Sequence, residues 1–339
     1  MYIISLETGI IIVYYLFCQK TAAVELCLSI APPGARTVFH PGTAASKLEE
    51  KKVKKAIALC LSLVLILCVL AGCQTAEKEK SYANILEKVK GTGELHVSLS
   101  PDFAPMEFVD TSKSGQDQYV GFDVTLAKKI AEELGVKLVI EPMSFEACQA
   151  SVSTKSVDLS ISGYSYLPER AENFELSDGY YTNNESNQVI VMLADNAAKC
   201  TDASSFDGKV LSAQNASLQW NLLTEQLPNA NANLVTDLGV AILEVINGQV
   251  DGLCCALGQA EIFCATYPEL AKCPWEFEID DDANVILIPK GETELLAAVN
   301  EILADCYASG VYTEWYDAAN ELAMSEFAQE VSIEDEPAS

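Results

Sequence analysis

Short alternating apolar runs, separated by segments of helical spacing, constrain the fold of this chain more than any other feature. Leu95, Val97 and Leu99 alternate with polar residues from Glu94 to Ser100 and predict a strand. Val124, Ala127, Ile130, Ala131 and Leu134 recur at helical spacing, and Gly135 stops that helix. A second strand follows over Val136 to Ile140, a second helix begins at Ser144-Phe145-Glu146 and runs to Lys155, and Val157, Leu159 and Ile161 mark a third strand. Strand–helix–strand units of this kind imply a largely parallel sheet flanked by helices, an α/β architecture. Ligands of such sheets bind beyond the carboxyl ends of the strands. Phe103, Phe145, Ser162, Ser165 and Arg170 all fall there.

The third strand empties into Ser162-Gly163-Tyr164-Ser165-Tyr166-Leu167-Pro168-Glu169-Arg170, where hydroxyl and glycine residues make a polar mouth and the proline opens a helical turn. Arg170 is one of two arginines in the chain, the other being Arg36. A planar guanidinium grips a carboxylate with two parallel hydrogen bonds, which a lysine cannot do. Beside Ser162 and Ser165 it points to a carboxylate site. A surface ion pair with Glu169 or Glu172 is the competing reading of the same residues.

At 339 residues, half of them apolar, the chain is long enough for two lobes. Its 49 Asp and Glu against 21 Lys and Arg leave no basic surface for nucleic acid, since phosphate binding needs clustered cations. Lys51, Lys52, Lys54 and Lys55 precede an apolar run from Ala56 to Leu70, which ends in Leu70-Ala71-Gly72-Cys73. A basic start, an apolar stretch too short to span comfortably and a small-residue cleavage site predict a secretory signal over 51–72. The final four residues resemble a bacterial lipobox, which implies lipidation of Cys73 and a membrane-anchored, extracytoplasmic protein. A plain membrane anchor is the alternative. Residues 1–50 fit neither and read as an extension ahead of the native start, or as a second hydrophobic anchor. Residues 73–91 read as a charged tether with a short helix from Tyr82. Beyond Cys73 no Cys-x-x-Cys occurs and His96 is the only histidine, so neither a metal nor another cofactor is expected. The remaining cysteines could pair or pack as small core residues.

The run from Val157-Asp158 to Arg170 resembles the family 3 extracellular solute-binding proteins, the amino-acid-binding components of ABC importers. Their usual run is Val-Asp-x-x-Ile-Ser-Gly-x-Ser/Thr-x-Thr-Pro-Glu-Arg, from which Leu167 departs. Ser100-Pro101-Asp102-Phe103-Ala104-Pro105-Met106-Glu107-Phe108, Gly121-Phe122-Asp123, Gly208-Lys209 through Ser217, Gly248-Gln249-Val250-Asp251 and Gly310-Val311-Tyr312 carry the resemblance along residues 82–324. It implies a two-lobed type II periplasmic-binding-protein fold with two hinge crossovers. Lobe one would comprise 92–184 and 285–324, lobe two 185–284, with an acidic disordered tail over 325–339. Gln188 to Leu193 would enter the second lobe, and Asn284 to Gly291 would return to the first.

The resemblance further implies that Arg170, Ser162, Gly163 and Ser165 hold a ligand carboxylate, that Phe103 covers its apolar part and that Phe145 is a pocket side chain. Ser217 and its loop amides would engage from the other lobe, although a plain helix N-cap is an equal reading of that serine. Gly121 and Asp123 would make a turn and a helix start. The aspartates that commonly meet an α-ammonium are absent, Ser100 and Ala256 standing in their places. Either Glu107 or Glu146 replaces them, or the ligand is not an ordinary α-amino acid, because an ammonium buried without a countercharge is costly. The implied function is capture of a small carboxylate-bearing solute, an amino acid, by a monomer that delivers it to an ABC permease. A cyclohexadienyl-dehydratase-like enzyme, with Glu146 and Glu169 as formal acids, and a sensing module without transport are the alternatives.

Overall fold

The computed structural model describes residues 81–181, 187–279 and 283–334. The expected extension, the signal over 51–72, the lipidation site Cys73, the start of the tether and the end of the acidic tail lie outside the described residues.

Helix α1 (Ile85–Thr92) is capped by Asn84, whose side chain accepts the Glu87 amide, and stopped by left-handed Gly93. It is not part of a free tether. Ile85 and Val89 are buried in the first core, and the Ile85 amide donates to Glu292 at 2.8 Å. After it come β1 (Glu94–Leu99), β2 (Asp102–Phe103), β3 (Glu107–Val109), β4 (Tyr119–Val120), α2 (Phe122–Leu134), β5 (Lys137–Pro142), α3 (Phe145–Ser153), β6 (Leu159–Ser165), α4 (Pro168–Asn173) and β7 (Phe174–Leu176). The second group is β8 (Gln188–Leu193), α5 (Ala194–Ala197), β9 (Val210–Gln214), α6 (Leu218–Gln226), β10 (Asn231–Val235), α7 (Leu238–Ile246), β11 (Gly252–Ala256), α8 (Leu257–Thr266) and β12 (Leu270–Glu276). The chain closes with β13 (Asn284–Pro289), α9 (Thr293–Ser309) and α10 (Val311–Glu334).

Two five-stranded sheets form the two lobes, ordered β5-β1-β6-β13-β7 and β10-β9-β11-β8-β12. In the first, β1 runs parallel to β5 and β6, while β13 is antiparallel to β6 and β7. In the second, β9 runs parallel to β10 and β11, while β8 is antiparallel to β11 and β12. Each crossover therefore delivers one antiparallel strand, β8 on the way out and β13 on the way back. Tyr181 and Asn284 bridge where the two crossovers meet.

Strand periodicity decides the cores. On β8, Ile190 and Met192 face one core with Phe206, Leu211 and Leu223, while Val189 and Val191 face another with Ile242, Leu253 and Phe263. In the first lobe, Leu95, Val97, Leu159 and Ile161 pack against Phe122, Leu126 and Ile130 of α2. Phe122 lies 4.8 Å from Tyr181 and 5.8 Å from Tyr312, ring centre to centre. Burying such a side chain stabilises by about 1.5–3 kcal/mol, and each ring pair adds about 0.5–1.5 kcal/mol.

Three features depart from the expectations. The small sheet β2-β3-β4 has no counterpart among the expected strands. Strand β12 and helix α8 are not marked by any clear period in the sequence. Finally, α10 buries Tyr312, Tyr316 and Ala319 in the first core and sets Ala323 beside Ile262 of α8. It runs on to Glu334, so residues 325–334, expected to be disordered from their acidity, continue this helix.

Candidate ligand-binding site

The site starts at the carboxyl end of β6. Gly163 has φ +54, and a Cβ there would stand 2.5 Å from Cε1 of Phe103. Glycine takes this left-handed backbone without strain, and its lack of a Cβ lets the ring lie against the strand. Beyond it, Arg170 on α4 is only 4% exposed, so it is not a surface arginine. Its Nη1 donates to the Ser165 carbonyl at 2.6 Å and its Nη2 to the Ala216 carbonyl of the second lobe at 3.0 Å. The guanidinium carbon sits 5.4 Å from the Tyr164 ring centre and 5.8 Å from that of Phe145, and the two rings are 4.9 Å apart. Stacking on two aromatic faces holds the planar fork in one orientation.

A buried acid pair supports this strand from beneath. Ser162 is fully buried and donates to Glu107 Oε1 at 2.5 Å, while its hydroxyl accepts the Ser100 amide at 3.0 Å. Asp123, at the start of α2 as expected, accepts the Gly163 amide at 2.7 Å and the Tyr180 hydroxyl at 2.8 Å. Burial and the neighbouring Asp123 push Glu107 well above the usual carboxyl range, so it keeps its proton. Burial also raises Asp123, to about 6, against the pull of the Gly163 amide and the Tyr180 hydroxyl.

These facts correct two expectations. Ser162 positions β6 and does not line the cavity. Glu107 is sealed beneath the strand and Glu146 accepts from Asn215 Nδ2 across the lobes at 2.5 Å, so neither lines the cleft as a partner for an ammonium. Glu169, the other formal acid of the enzymatic reading, accepts from Asn221 at 3.0 Å and is likewise engaged with the second lobe.

From the second lobe, Ser217 caps α6 by accepting the Trp220 amide at 3.1 Å, and it also lines the cavity. Both readings of this serine are thus compatible. Ala216 adopts left-handed φ 60, which turns its carbonyl toward Arg170 and Gln149. Asp102 spans the lobes: it accepts Ser100 Oγ at 2.6 Å, Gln214 Nε2 at 2.9 Å and the Leu238 amide at 2.9 Å. Burial pushes it up to about 6, with the Ser100 and Leu238 bonds opposing.

The resulting cavity lies between the lobes, lined by Phe103, Phe145, Gly163, Ser165, Arg170 and Ser217. Gln214, Gln219, Leu238, Cys254, Cys255 and Ala256 complete the wall. Gln214 and Ala256 end strands β9 and β11, so the strand-end rule points to them. Gln219 and Leu238 open helices and carry no such mark. The described cysteines are free thiols, and burial raises Cys254 and Cys255, which keeps this wall neutral. Among the described residues no cluster of three or more His, Cys, Asp or Glu side chains is placed to hold a metal. No described helix is long and apolar enough to cross a membrane.

The family described as bacterial extracellular solute-binding proteins, family 3, matches residues 95–319. A probable histidine-binding protein of Campylobacter jejuni is 24% identical over 243 residues, 72% of this chain and 90% of its own length. A cyclohexadienyl dehydratase of Pseudomonas aeruginosa is 23% identical over 228 residues, 67% of this chain and 81% of its own. Among solved structures, the amino acid ABC transporter substrate-binding protein AbpA from Streptococcus pneumoniae, bound to L-arginine, is 33% identical. It covers 70% of this chain and 99% of its own, with a TM-score of 0.66.

Proposed function

The chain belongs to the bacterial extracellular solute-binding proteins, family 3, and we propose that it captures a small amino acid or related carboxylate between its lobes and delivers it to an ABC permease. The observation that carries this reading is Arg170: buried, stacked on Phe145 and Tyr164, bonded to a carbonyl of each lobe, and lining the cavity. A guanidinium so held meets a carboxylate with its geometry already set, so little freedom is lost on binding. Because Arg170, Asp102 and Glu146 bind second-lobe groups, ligand and lobe contacts favour the same closed arrangement. Ligand then shifts the population toward the form a permease would recognise.

Binding without conversion is the better reading, because Glu146 and Glu169 are held across the lobes by Asn215 and Asn221 and do not line the cavity beside Arg170. We further assign the leader to secretion and Cys73 to lipid attachment, which keeps a monomeric binding protein at the membrane beside its transporter.

Thermal-shift titration of the purified protein against the amino acids, cystine and dicarboxylates tests this. A ligand at a hundred times its Kd stabilises the protein by about 2.7 kcal/mol. The shift is expected to vanish in Arg170→Ala and to weaken in Arg170→Lys, which retains the charge without the fork. A shift unchanged in both variants would place the anchor elsewhere. Turnover of prephenate or arogenate would restore the enzymatic reading.

A further inference from the structure

A second chamber opens off the Arg170 cavity. It shares Phe103, Gly163, Ser165, Gln219 and Ala256 with the first and reaches Gln259 and Tyr316. Gln259 stands in the first turn of α8 and is only 1% exposed. Its amide nitrogen and its amide oxygen are both buried without a hydrogen-bond partner among the described residues. Folded proteins rarely bury an amide with both atoms unpaired, because neither water nor protein repays the lost solvation. Nearby, Gln219 Nε2 donates to Gln188 Oε1 at 2.6 Å, so the chamber wall is built of side-chain amides. Among the described residues, Arg170 is the only charged side chain lining either chamber. Glu107 and Asp123, the nearest acids of the β6 support, lie behind the wall and bond to Ser162, Gly163 and Tyr180.

We propose that Gln259 is a specificity-determining residue that pairs with a primary carboxamide at the far end of the carboxylate held by Arg170. The inference rests on the carboxylate-binding reading and goes beyond it by naming the ligand's other end. A carboxamide offers one donor edge and one acceptor edge in a plane, which matches the two orphaned atoms of Gln259 reciprocally. A guanidinium or ammonium end is donor-only and would leave the Gln259 amide nitrogen without an acceptor. Replacement of the usual acid by Ala256, at the mouth shared by both chambers, is consistent with a neutral ligand end.

Isothermal titration calorimetry on the full chain tests the assignment with L-glutamine, L-arginine, L-glutamate and glutaramate, which has a carboxylate and a carboxamide but no ammonium. The wild type is expected to bind L-glutamine at least about tenfold more tightly than L-arginine, the loss of a matched polar partner being worth that much or more. Gln259→Leu should erase this preference, and Gln259→Glu, which sets a carboxylate in the chamber, should reverse it toward L-arginine. Circular dichroism and melting of both variants establish that they fold. Tighter binding of L-arginine than of L-glutamine by the wild type overturns the proposal, as does an equal loss of all ligands in Gln259→Leu. If L-glutamine binds but Arg170→Ala leaves it untouched, the carboxylate reading fails. If Arg170→Ala abolishes binding while Gln259→Leu has no effect, only the carboxamide assignment fails.

Discussion

The two lobes share a five-stranded plan with one antiparallel strand delivered by a crossover, yet they build opposite walls for the cleft. The first lobe's wall rests on buried ionisable groups: Arg170 lines the cavity, and Glu107 and Asp123 lie beneath β6. The second lobe faces the ligand with Gln214, Gln219, Cys254 and Cys255, and burial keeps both thiols protonated. A buried charge is tolerable only when its partners are in place, so the first wall is locked into one arrangement. A neutral wall carries smaller penalties and can differ in residue type without unseating the fold. Under the proposed function, anchoring falls to the first lobe and selectivity to the second.

Gly163→Ala is the most severe test of the locked wall. The new methyl meets Phe103, and alanine must take a left-handed backbone. Overpacking costs about 1–3 kcal/mol and the backbone about 1–2 kcal/mol, so a loss of roughly 2–5 kcal/mol is expected in denaturant unfolding, together with loss of binding. A change below about 0.5 kcal/mol would show that the strand end is not rigid.

Proton linkage separates the lobes in a second way. Asp102 rises from 3.8 to about 6 by burial between them, bonding Gln214 and Leu238 of the second lobe. A group raised in the closed form holds its proton there after the open form has released it. Its contribution to closure is therefore present in full below pH ~4 and is lost as pH rises through about 6. Solute affinity should fall roughly tenfold or more across that window, since a pKa that differs by one between the open and closed forms is worth a factor of ten. Asp102→Asn should flatten the affinity profile. It should leave a fall in melting temperature over the same range, because Asp123 is also raised to about 6 by burial, and this group lies wholly within the first lobe. Loss of both slopes in Asp102→Asn would mean that the acid pair and the lobe contact titrate together.

Ala216→Gly gives the smallest effect and probes the second wall. The left-handed φ of 60 strains alanine, so glycine should stabilise by about 0.5–1 kcal/mol, less the added chain entropy. Arg170 should keep its bond to the residue 216 carbonyl. A destabilisation would indicate that the Ala216 methyl group packs usefully against the closing lobe.

Much of the fold was legible because strand and helix periods are local properties. Leu95, Val97 and Leu99, and the helical series from Val124 to Leu134, declare their elements without reference to anything distant. The apolar run from Leu253 through Phe263 has no such clean period, so α8 passed unmarked, and Gln259 with it. Arg170 stood out by its rarity and its place after a strand. Ser162, in the same run, could not be told from a ligand contact, since its partner Glu107 lies 55 positions away in sequence. Asp123 read as a helix start, which it is; its bond to Gly163, 40 positions away, is a second role that only packing reveals.

The order of residues alone determined the α/β plan, the strand ends that make the cleft and the guanidinium near them, all of which follow from short-range periodicity and from residue chemistry; the division into two lobes was implied by the resemblance to a known family. Tertiary structure alone decided which polar groups face the ligand and which are sealed beneath it. Burial and hydrogen-bond satisfaction depend on segments that meet across the fold, and no local pattern records whether Glu107 has a partner or Gln259 lacks one.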